Sequence, residues 1–551
     1  MPSNVRKVVR VTKCLLAAVT VFFFSWVVCV NEWHGGVAWG GRRGRGPGLS
    51  TMRTIVAYSE EKQAEMDRPS PVTCDRLPAF PEIQHINRTW PQNASQEDSW
   101  QRVEGTGVSL YSAYYDQRVS QPYVRILATF RGRNISTALP LFCQTRSLNA
   151  YEESVEVVAA KPLEIWWHEW DSTTSDIETP LLLSCPLTEL LNGPSTVSIV
   201  TQPCDDPTNA FTLKPHPGKH EYNRTFTICV KDMKFEKDVS QNLVEWIETN
   251  RILGVDMIDM YIDSITKECE NVLFYYRDQG YIRLFHVPIK HKLERSLWQR
   301  RRDHIITYND CLYRNIRESE YIVPLDVDEI VLPKQALTWS ELLSRLVIYG
   351  WDPSQNSAIL IQNAFFFDFM QGVEKYKAKK LSSKKSKIYI KRDDVRIQEA
   401  GYLDDIELID DENRINDEVI DVKNNDKEWY EMYKRRCGKD LAMPKLARHI
   451  VRSAIISPTG SYSKSFMLTR KVLTAFNHYP LASIGSSGFL GWPAPFSEVQ
   501  LNHYKESCNT TVVAECAHYG RRARLDTAAL RLRTPLTRAL AQAFCYTINR
   551  S

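Results

Sequence analysis

Apolar positions fall into three successive patterns along the chain. The first is an uncharged run of 17 residues, Cys14–Val30 (CLLAAVTVFFFSWVVCV), preceded by Arg6, Lys7, Arg10 and Lys13. As a helix rising ~1.5 Å per residue it reaches about 25 Å, suited to a thin bilayer, and its positive flank predicts a cytosolic N-terminus. An uncleaved signal anchor is the preferred reading. A cleaved signal peptide competes with it, but the run exceeds the usual length of about 7–15 residues and no A-x-A-like site closes it. The second pattern, from about Pro78 to Pro217, consists of short β-favouring runs such as Val108–Tyr115 and Tyr123–Phe130 between turn-rich stretches, which predicts a β-rich unit.

The third pattern begins at Phe226 and alternates strand and helix periods. A strand (Phe226–Val230) precedes a helix with Val239, Leu243, Trp246, Ile247 and Leu253 on one face, stopped by Gly254. A second strand (Met257–Ile262) leads to a helix carrying Ile265, Cys269, Val272, Leu273 and Tyr276, stopped by Gly280. A third strand (Tyr281–Val287), a basic helical stretch and a fourth strand across Glu320–Ile330 follow. Repeated β-α-β units of this length predict an α/β fold: a mostly parallel sheet with helices on both faces, binding ligands beyond the carboxyl ends of its strands.

These patterns divide the chain into a cytosolic tail (1–13), the anchor (14–30), a Gly- and Arg-rich stem (31–72), a β-rich accessory domain (73–217), an α/β domain (218–508) and a C-terminal helical extension (509–551). The α/β domain carries a charged insertion at 374–445, with nine basic residues between Lys375 and Arg392 and nine acidic ones between Asp404 and Asp421. That insertion reads more simply as a solvated excursion than as an acceptor-recognition loop. Indoles in the cluster Ile165–Trp170 could stack on sugars, but core packing is the commoner use.

With 551 residues, 43% of them apolar, and 70 Lys+Arg against 66 Asp+Glu for a net charge of +4, the chain is neither disordered nor a multi-span membrane protein. The balanced charge speaks against nucleic acid as a partner. Six N-x-S/T sequons, at Asn87, Asn93, Asn134, Asn223, Asn509 and Asn549, agree with a luminal location. Of 13 cysteines two fall in the anchor, leaving 11 in an oxidising compartment. None of these stand at the close spacing of zinc ligands, so disulfides are expected, with at least one cysteine left free or intermolecular, as in a disulfide-linked dimer; a non-covalent dimer is equally open.

The sharpest chemical feature is Asp326-Val327-Asp328-Glu329. At a strand end, Asp326 and Asp328 would point to the same face about 6–7 Å apart. Two such carboxylates repel unless a cation joins them, and hard oxygen ligands suit Mg²⁺ or Mn²⁺ with phosphate oxygens completing the shell. Walker A, G-x-G-x-x-G and G-x-S-x-G sequences are absent, which removes the best support for NTPase, dinucleotide-oxidoreductase and α/β-hydrolase readings. Gly485–Trp492 (GSSGFLGW) reads as a loop able to close over a substrate.

From about Phe226 to Cys508 the chain resembles glycosyltransferase family 92. The resemblance is carried by TICVKDM (227–233), WIETNRILGVDMIDMYIDS (246–264), VLFYYRDQGYIRLFHVP (272–288), YNDCLYR (308–314), YIVPLDVDEIVLP (321–333), KSFMLTRKVLTAFNHYP (464–480) and LNHYKESC (501–508). Upstream, YSAYYDQR (111–118), FCQ (142–144) and LLLSCP (181–186) are also similar. The resemblance implies a type II Golgi membrane enzyme with a GT-A-like, Rossmann-type fold. It implies inverting transfer from a UDP-sugar, with Mn²⁺ or Mg²⁺, to a glycan acceptor on glycoproteins or glycolipids. β-1,4-Galactosyl transfer from UDP-galactose to fucose or galactose on N-glycans is the activity it suggests.

On this basis Asp326 and Asp328 are expected to hold metal and diphosphate, with His503, or alternatively His478, as a further ligand; each histidine could instead be structural. Asp263 is expected at the uridine or ribose. Asp310 is expected near the donor or, equally, in helix packing. Glu498 and Asp368 are the candidate general bases. Two other classes remain open: a non-catalytic glycan-binding protein, and a nucleotide-sugar hydrolase using the same carboxylates.

Overall fold

A computed structural model describes residues 71–548 other than 84–85, 92–98, 134, 136–138, 149–152, 167–176, 189–192, 215–221, 291–294, 373–406, 409–430, 432–443, 485–490 and 508–515. The expected anchor and the stem up to residue 70 lie outside the described residues, as do Trp167–Trp170 and the sequons at Asn93, Asn134, Asn509 and Asn549. Among the described residues no helix is long and apolar enough to cross a membrane.

The N-terminal strands are β1 (Gln101–Arg102), β2 (Val108–Asp116), β3 (Tyr123–Arg131), β4 (Phe142–Leu148), β5 (Glu153–Ala159), β6 (Lys161–Glu164), β7 (Glu178–Pro186), β8 (Thr196–Val200) and β9 (Phe211–Thr212). They form two antiparallel sheets, β1-β2-β3-β7-β6 and β5-β4-β8-β9. The period-two alternation of each sheet sends Leu110, Ile126 and Leu181 from one, and Val158, Val197 and Ile199 from the other, into one shared core. A disulfide between Cys143 on β4 and Cys185 on β7 links the two sheets.

The following strands are β10 (Arg224–Lys234), β11 (Met257–Ser264), β12 (Ile282–His286), β13 (Ser319–Pro324), β14 (Glu329–Pro333), β15 (Ala358–Ile361), β16 (Asn363–Phe367), β17 (Glu407–Leu408), β18 (Val451–Ser453), β19 (Lys464–Leu468), β20 (Val472–Thr474), β21 (Ala482–Ser483), β22 (Gly491–Pro493), β23 (Val499–Lys505) and β24 (Arg522–Leu525). Seven of them make the main sheet, in the order β12-β11-β10-β13-β19-β15-β22. Pairing is parallel from β12 through β13, antiparallel on both sides of β19, and parallel again between β15 and β22. Only β19 therefore runs against the rest. A short sheet, β14-β23-β16, lies beyond the end of β13.

Helices α1 (Ser240–Ile252) and α2 (Lys267–Asp278) cover one face of the main sheet, and α3 (Leu297–Asn315) covers the other. Alternate residues of β10 show the division, with Phe226, Ile228 and Val230 packed with α1 and α2, and Cys229 with α3. Cys229 is also disulfide-bonded to Cys311 of α3. Gly254 and Gly280 adopt φ of +88° and +71°, the left-handed cap that lets each helix stop and turn into the next strand. Helix α4 (Trp339–Ile348) buries Trp339, whose indole packs edge-on against Phe226 and Phe466.

Two expectations are corrected here. The fourth strand expected across Glu320–Ile330 is two strands in different sheets, with Leu325–Asp328 as the turn between them. In the expected C-terminal helical extension, a short helix at Cys516–Tyr519 is followed by strand β24 (Arg522–Leu525), paired with β18 and with Glu407–Leu408 of the charged insertion, and the long helix begins at Arg533.

The N-terminal sheets are joined to the main sheet through Asp310 of α3. This carboxylate is fully buried and accepts hydrogen bonds from the Tyr114 hydroxyl, from the Tyr261 hydroxyl at 2.6 Å, from Ser112 Oγ at 3.3 Å and from Arg314 Nε at 2.6 Å. Burial would raise its pKa, but the Arg314 guanidinium and these donors hold it below the ordinary value. Of its two expected roles, donor contact and helix packing, the structure gives Asp310 the second. Asp310→Ala, which leaves a buried guanidinium and two phenols without their acceptor, is expected to cost about 3–5 kcal/mol and to lower the denaturant midpoint. A donor-binding role would instead spare stability and raise the donor KM.

Candidate functional site

Strand β13 ends at Pro324, a residue that donates no ladder hydrogen bond, and the chain turns at once. Glu329 N donates to Asp326 O at 3.0 Å to close the turn, while Glu329 Oε2 accepts from Asp326 N at 2.9 Å. The turn is held from below by Trp246 of α1, whose indole nitrogen donates to Glu329 O at 2.8 Å, and from the side by Tyr504 N, which donates to Asp328 O at 2.9 Å. Asp326 and Asp328 thus sit on a turn rather than as alternate residues of a strand, and Glu329 points back into the site.

Two lysines meet Asp326. Lys231, at a bulge near the end of β10, places Nζ 2.9 Å from Asp326 Oδ2; Lys464, the first residue of β19, places it at 3.3 Å and reaches Glu329 Oε2 at 3.1 Å. Burial alone would raise the pKa of Asp326, but the two ammonium charges outweigh it and hold the carboxyl well below the usual range. Lys464 is itself buried; burial would lower its pKa, yet Asp326 and Glu329 raise it. Glu329 is shifted upward, by burial first and by its acidic neighbours against the pull of Lys464. His503 of β23 lies opposite Glu329 in the strand register, with Nε2 3.4 Å from Asp328 Oδ2 and Nδ1 3.6 Å from Glu329 Oε1.

On the α3 side, Asp232 of β10 is buried beneath His304 Nε2 at 2.7 Å, Arg300 at 3.3 Å and Arg295 at 3.5 Å. Asp263, at the end of β11, pairs with Arg295 at 2.9 Å, so it stands at the carboxyl edge of the sheet as expected but with its charge already engaged. Burial pushes Asp303, the third carboxylate on Arg295, up to about 6.

The remaining expected residues separate. His478 is half-buried, with Nδ1 2.8 Å from Ser463 O and Nε2 3.2 Å from Asn477 Nδ2, and the same Asn477 accepts from Lys464. It supports Lys464 rather than the carboxylates, so His503 is the histidine brought to the turn. Glu498 is bound by Arg345 at 2.8 Å, at the far end of the β14–β23 pair and five residues along the strand from His503, roughly 16 Å. It is not at the site. Asp368 follows β16 and pairs with His449 at 2.7 Å and Lys445 at 3.2 Å. Trp166 is core, with the Arg302 guanidinium over its ring. Lys231 and Lys464 were not singled out in the sequence, although they lie within the motifs TICVKDM and KSFMLTRKVLTAFNHYP.

The chemistry of the turn fits a divalent cation. Asp326 Oδ1 is buried and has no hydrogen-bond partner, Asp328 is half-exposed, and His503 Nδ1 accepts and donates no hydrogen bond. Two carboxylates and an imidazole are the donor set Mn²⁺ takes. Among the described residues no three acidic, His or Cys side chains already close into a cage, so any binding would draw these donors together.

Comparison with known proteins places the turn within a recognised segment. The pattern of Glycosyltransferase family 92 matches residues 224–395. A Caenorhabditis elegans protein named beta-1,4-galactosyltransferase galt-1 is 28% identical over 147 residues, which make up 26% of this chain and 34% of that protein. The chain thus spans about a third of that relative's length. Strands β10 to β16 and the Asp326–Glu329 turn all fall inside the matched segment, so residues 224–395 carry the pattern of glycosyltransferase family 92.

Proposed function

We propose that the protein transfers a hexose from a UDP-sugar to a glycan acceptor, with inversion, and that Asp326, Asp328 and His503 hold a Mn²⁺ or Mg²⁺ ion there. The observation that carries this reading is the unsatisfied, buried Asp326 Oδ1 on a turn at the carboxyl end of a parallel strand, where sheets of this kind bind ligands. The strand order and the flanking helices support a GT-A-like assignment. When bound, the cation supplies positive charge to the departing diphosphate. Lys231, one-quarter exposed, is the side chain free to turn from Asp326 toward a phosphate. Galactose as the sugar and a β-1,4 linkage rest on the name of the relative in part matched. A Golgi location with type II topology rests on the Cys14–Val30 run, on exposed Asn87 and Asn223 within sequons, and on three disulfides.

In the transfer, an acceptor hydroxyl oxygen attacks the anomeric carbon as the bond from that carbon to the diphosphate oxygen breaks. The proton goes to a carboxylate, and UDP leaves. Asp368 is the base this reading retains: it is engaged by His449 and Lys445, but it is 40% exposed and Lys445 lines the same cleft as Asp328, whereas Glu498 is engaged far from the turn. Lys464 positions Asp326 and Glu329 at once, and His478 and Asn477 support Lys464.

The test is incubation with a panel of UDP-sugars and fucosylated or non-fucosylated N-glycans, in Mn²⁺ or EDTA, with products read by mass. A hexose gain from UDP-galactose that EDTA abolishes is expected, and Asp328→Ala should fold normally and lose at least a hundredfold in turnover. Free sugar released equally with and without acceptor would establish a hydrolase instead.

His478 adds a pH dependence of stability. Burial, and then the Lys464 charge, depress its pKa from 6.5 to about 3. Between those values the unfolded chain binds a proton that the folded chain does not, so stability is complete above about pH 6.5 and is lost as pH falls toward 3. Urea midpoints of His478→Gln are expected to fall less steeply than those of the wild type across that window.

A further inference from the structure

On the α1 side of the Asp326–Glu329 turn lies a cleft of about 430 Å³, counting its open mouth, lined by Asn242, Trp246, Asp328, Lys445, Leu446 and Tyr504 among others. Its two aromatic rings are fixed in place. Trp246 is tied through its indole nitrogen to Glu329 O, and the Tyr504 hydroxyl accepts from Asn502 Nδ2 at 3.0 Å. Polar groups stand around the mouth: exposed Asn242 in the first turn of α1, half-exposed Asp328, and Lys445, which is paired with Asp368. The largely buried edges of these two rings floor the cleft, and the amide, carboxylate and ammonium groups of its rim are the kind that meet the hydroxyls of a pyranose.

The wall formed by Lys445 and Leu446 is held by a clamp. Glu245 of α1 accepts from both of their backbone N–H groups, at 2.8 and 2.7 Å, where the chain returns from the charged insertion into α5 (Lys445–Arg448). The insertion therefore ends on the cleft.

The two sides of the turn differ in chemistry. Arg295, Arg300 and His304 gather on the α3 side around Asp232, whereas the cleft opens on the α1 side and has Lys445 as its one cationic lining residue among those described. A diphosphate belongs with the first. In a single displacement the attacking hydroxyl arrives opposite the leaving group, which puts the acceptor on the second. We propose that this cleft is the acceptor subsite, taking the terminal pyranose of a glycan, and that Asn242 and Lys445 determine which sugar ring is accepted. The proposal rests on the transferase reading above.

The test uses the full chain with separate KM values for UDP-sugar and N-glycan acceptor. Asn242→Ala and Lys445→Met are expected to raise the acceptor KM at least fivefold and to shift the donor KM by less than twofold. A donor KM that rises while the acceptor KM stays put would make this a donor-sugar pocket and overturn the proposal, as would no change in either. Binding of the same glycans to donor-free protein, followed by saturation-transfer NMR, tests the cleft without turnover. The signal should vanish in Asn242→Trp, which fills the mouth; binding that survives this variant overturns the proposal. A wild type that transfers nothing, yet binds glycan in a manner Asn242→Trp abolishes, would reject the transferase reading and leave the cleft standing as a glycan site.

Discussion

The structure around the turn depends on charge compensation at Asp326. A carboxylate this buried is costly unless cations meet it, and the two that do come from the strands on either side of β13. Lys231 reaches in from parallel β10, and Lys464 from antiparallel β19. The reversal of β19 has a local consequence here: running against β13, it begins where β13 ends, so its first residue lies at the turn. One Asp326 oxygen is then neutralised by protein, while the other stays buried and unsatisfied. This division explains how the turn keeps its shape while one carboxylate oxygen of Asp326 is left without a partner.

The same constraint links distant parts of the chain. Lys464 also meets Glu329 and Asn477, Asn477 meets His478, and Glu329 faces His503. Residues from 231 to 503 therefore share one electrostatic unit. Removing one member leaves a buried partner uncompensated, so effects of substitutions within this unit will not add.

What could be read from the sequence follows from the range of the interactions involved. The β-α-β run was legible because strand and helix periods are local and because Gly254 and Gly280 mark helix ends through a backbone conformation other residues avoid. Asp326 and Asp328 were legible as two close acids that positive charge must offset, and at Asp326 the structure supplies it from Lys231 and Lys464. Their placement on a turn was not, because Ile330–Pro333 is as apolar as Tyr321–Pro324 and only tertiary pairing with β23 assigns it to another sheet. Lys231 and Lys464 are 233 residues apart, and nothing local marks either as a partner of Asp326. Glu498 shows the reverse case, an acid near a motif that looks chemical until its arginine, Arg345, is known, and Arg314 decides between the two roles left open for Asp310. The indole of Trp166 is likewise core because Arg302 and Phe476 cover it.

The placement of the site between two helical layers follows from the right-handed β-α-β connections, which put successive crossovers on opposite faces of the sheet where strand order reverses. Here α1 and α2 cover one face and α3 the other, and β10 lies at the change. Alternate residues of its end, Lys231 and Asp232, therefore serve different partners, Asp326 for the first and His304 with its arginines for the second. The proposed transfer needs unlike surfaces that meet at one point, one for an anionic leaving group and one for a neutral ring. For it, a parallel strand with a charged residue directed to each side, ending beside an acidic turn, would supply that meeting point. The charged insertion is tied to the same region at its exit, where Glu245 of α1 accepts from the backbone of Lys445 and Leu446.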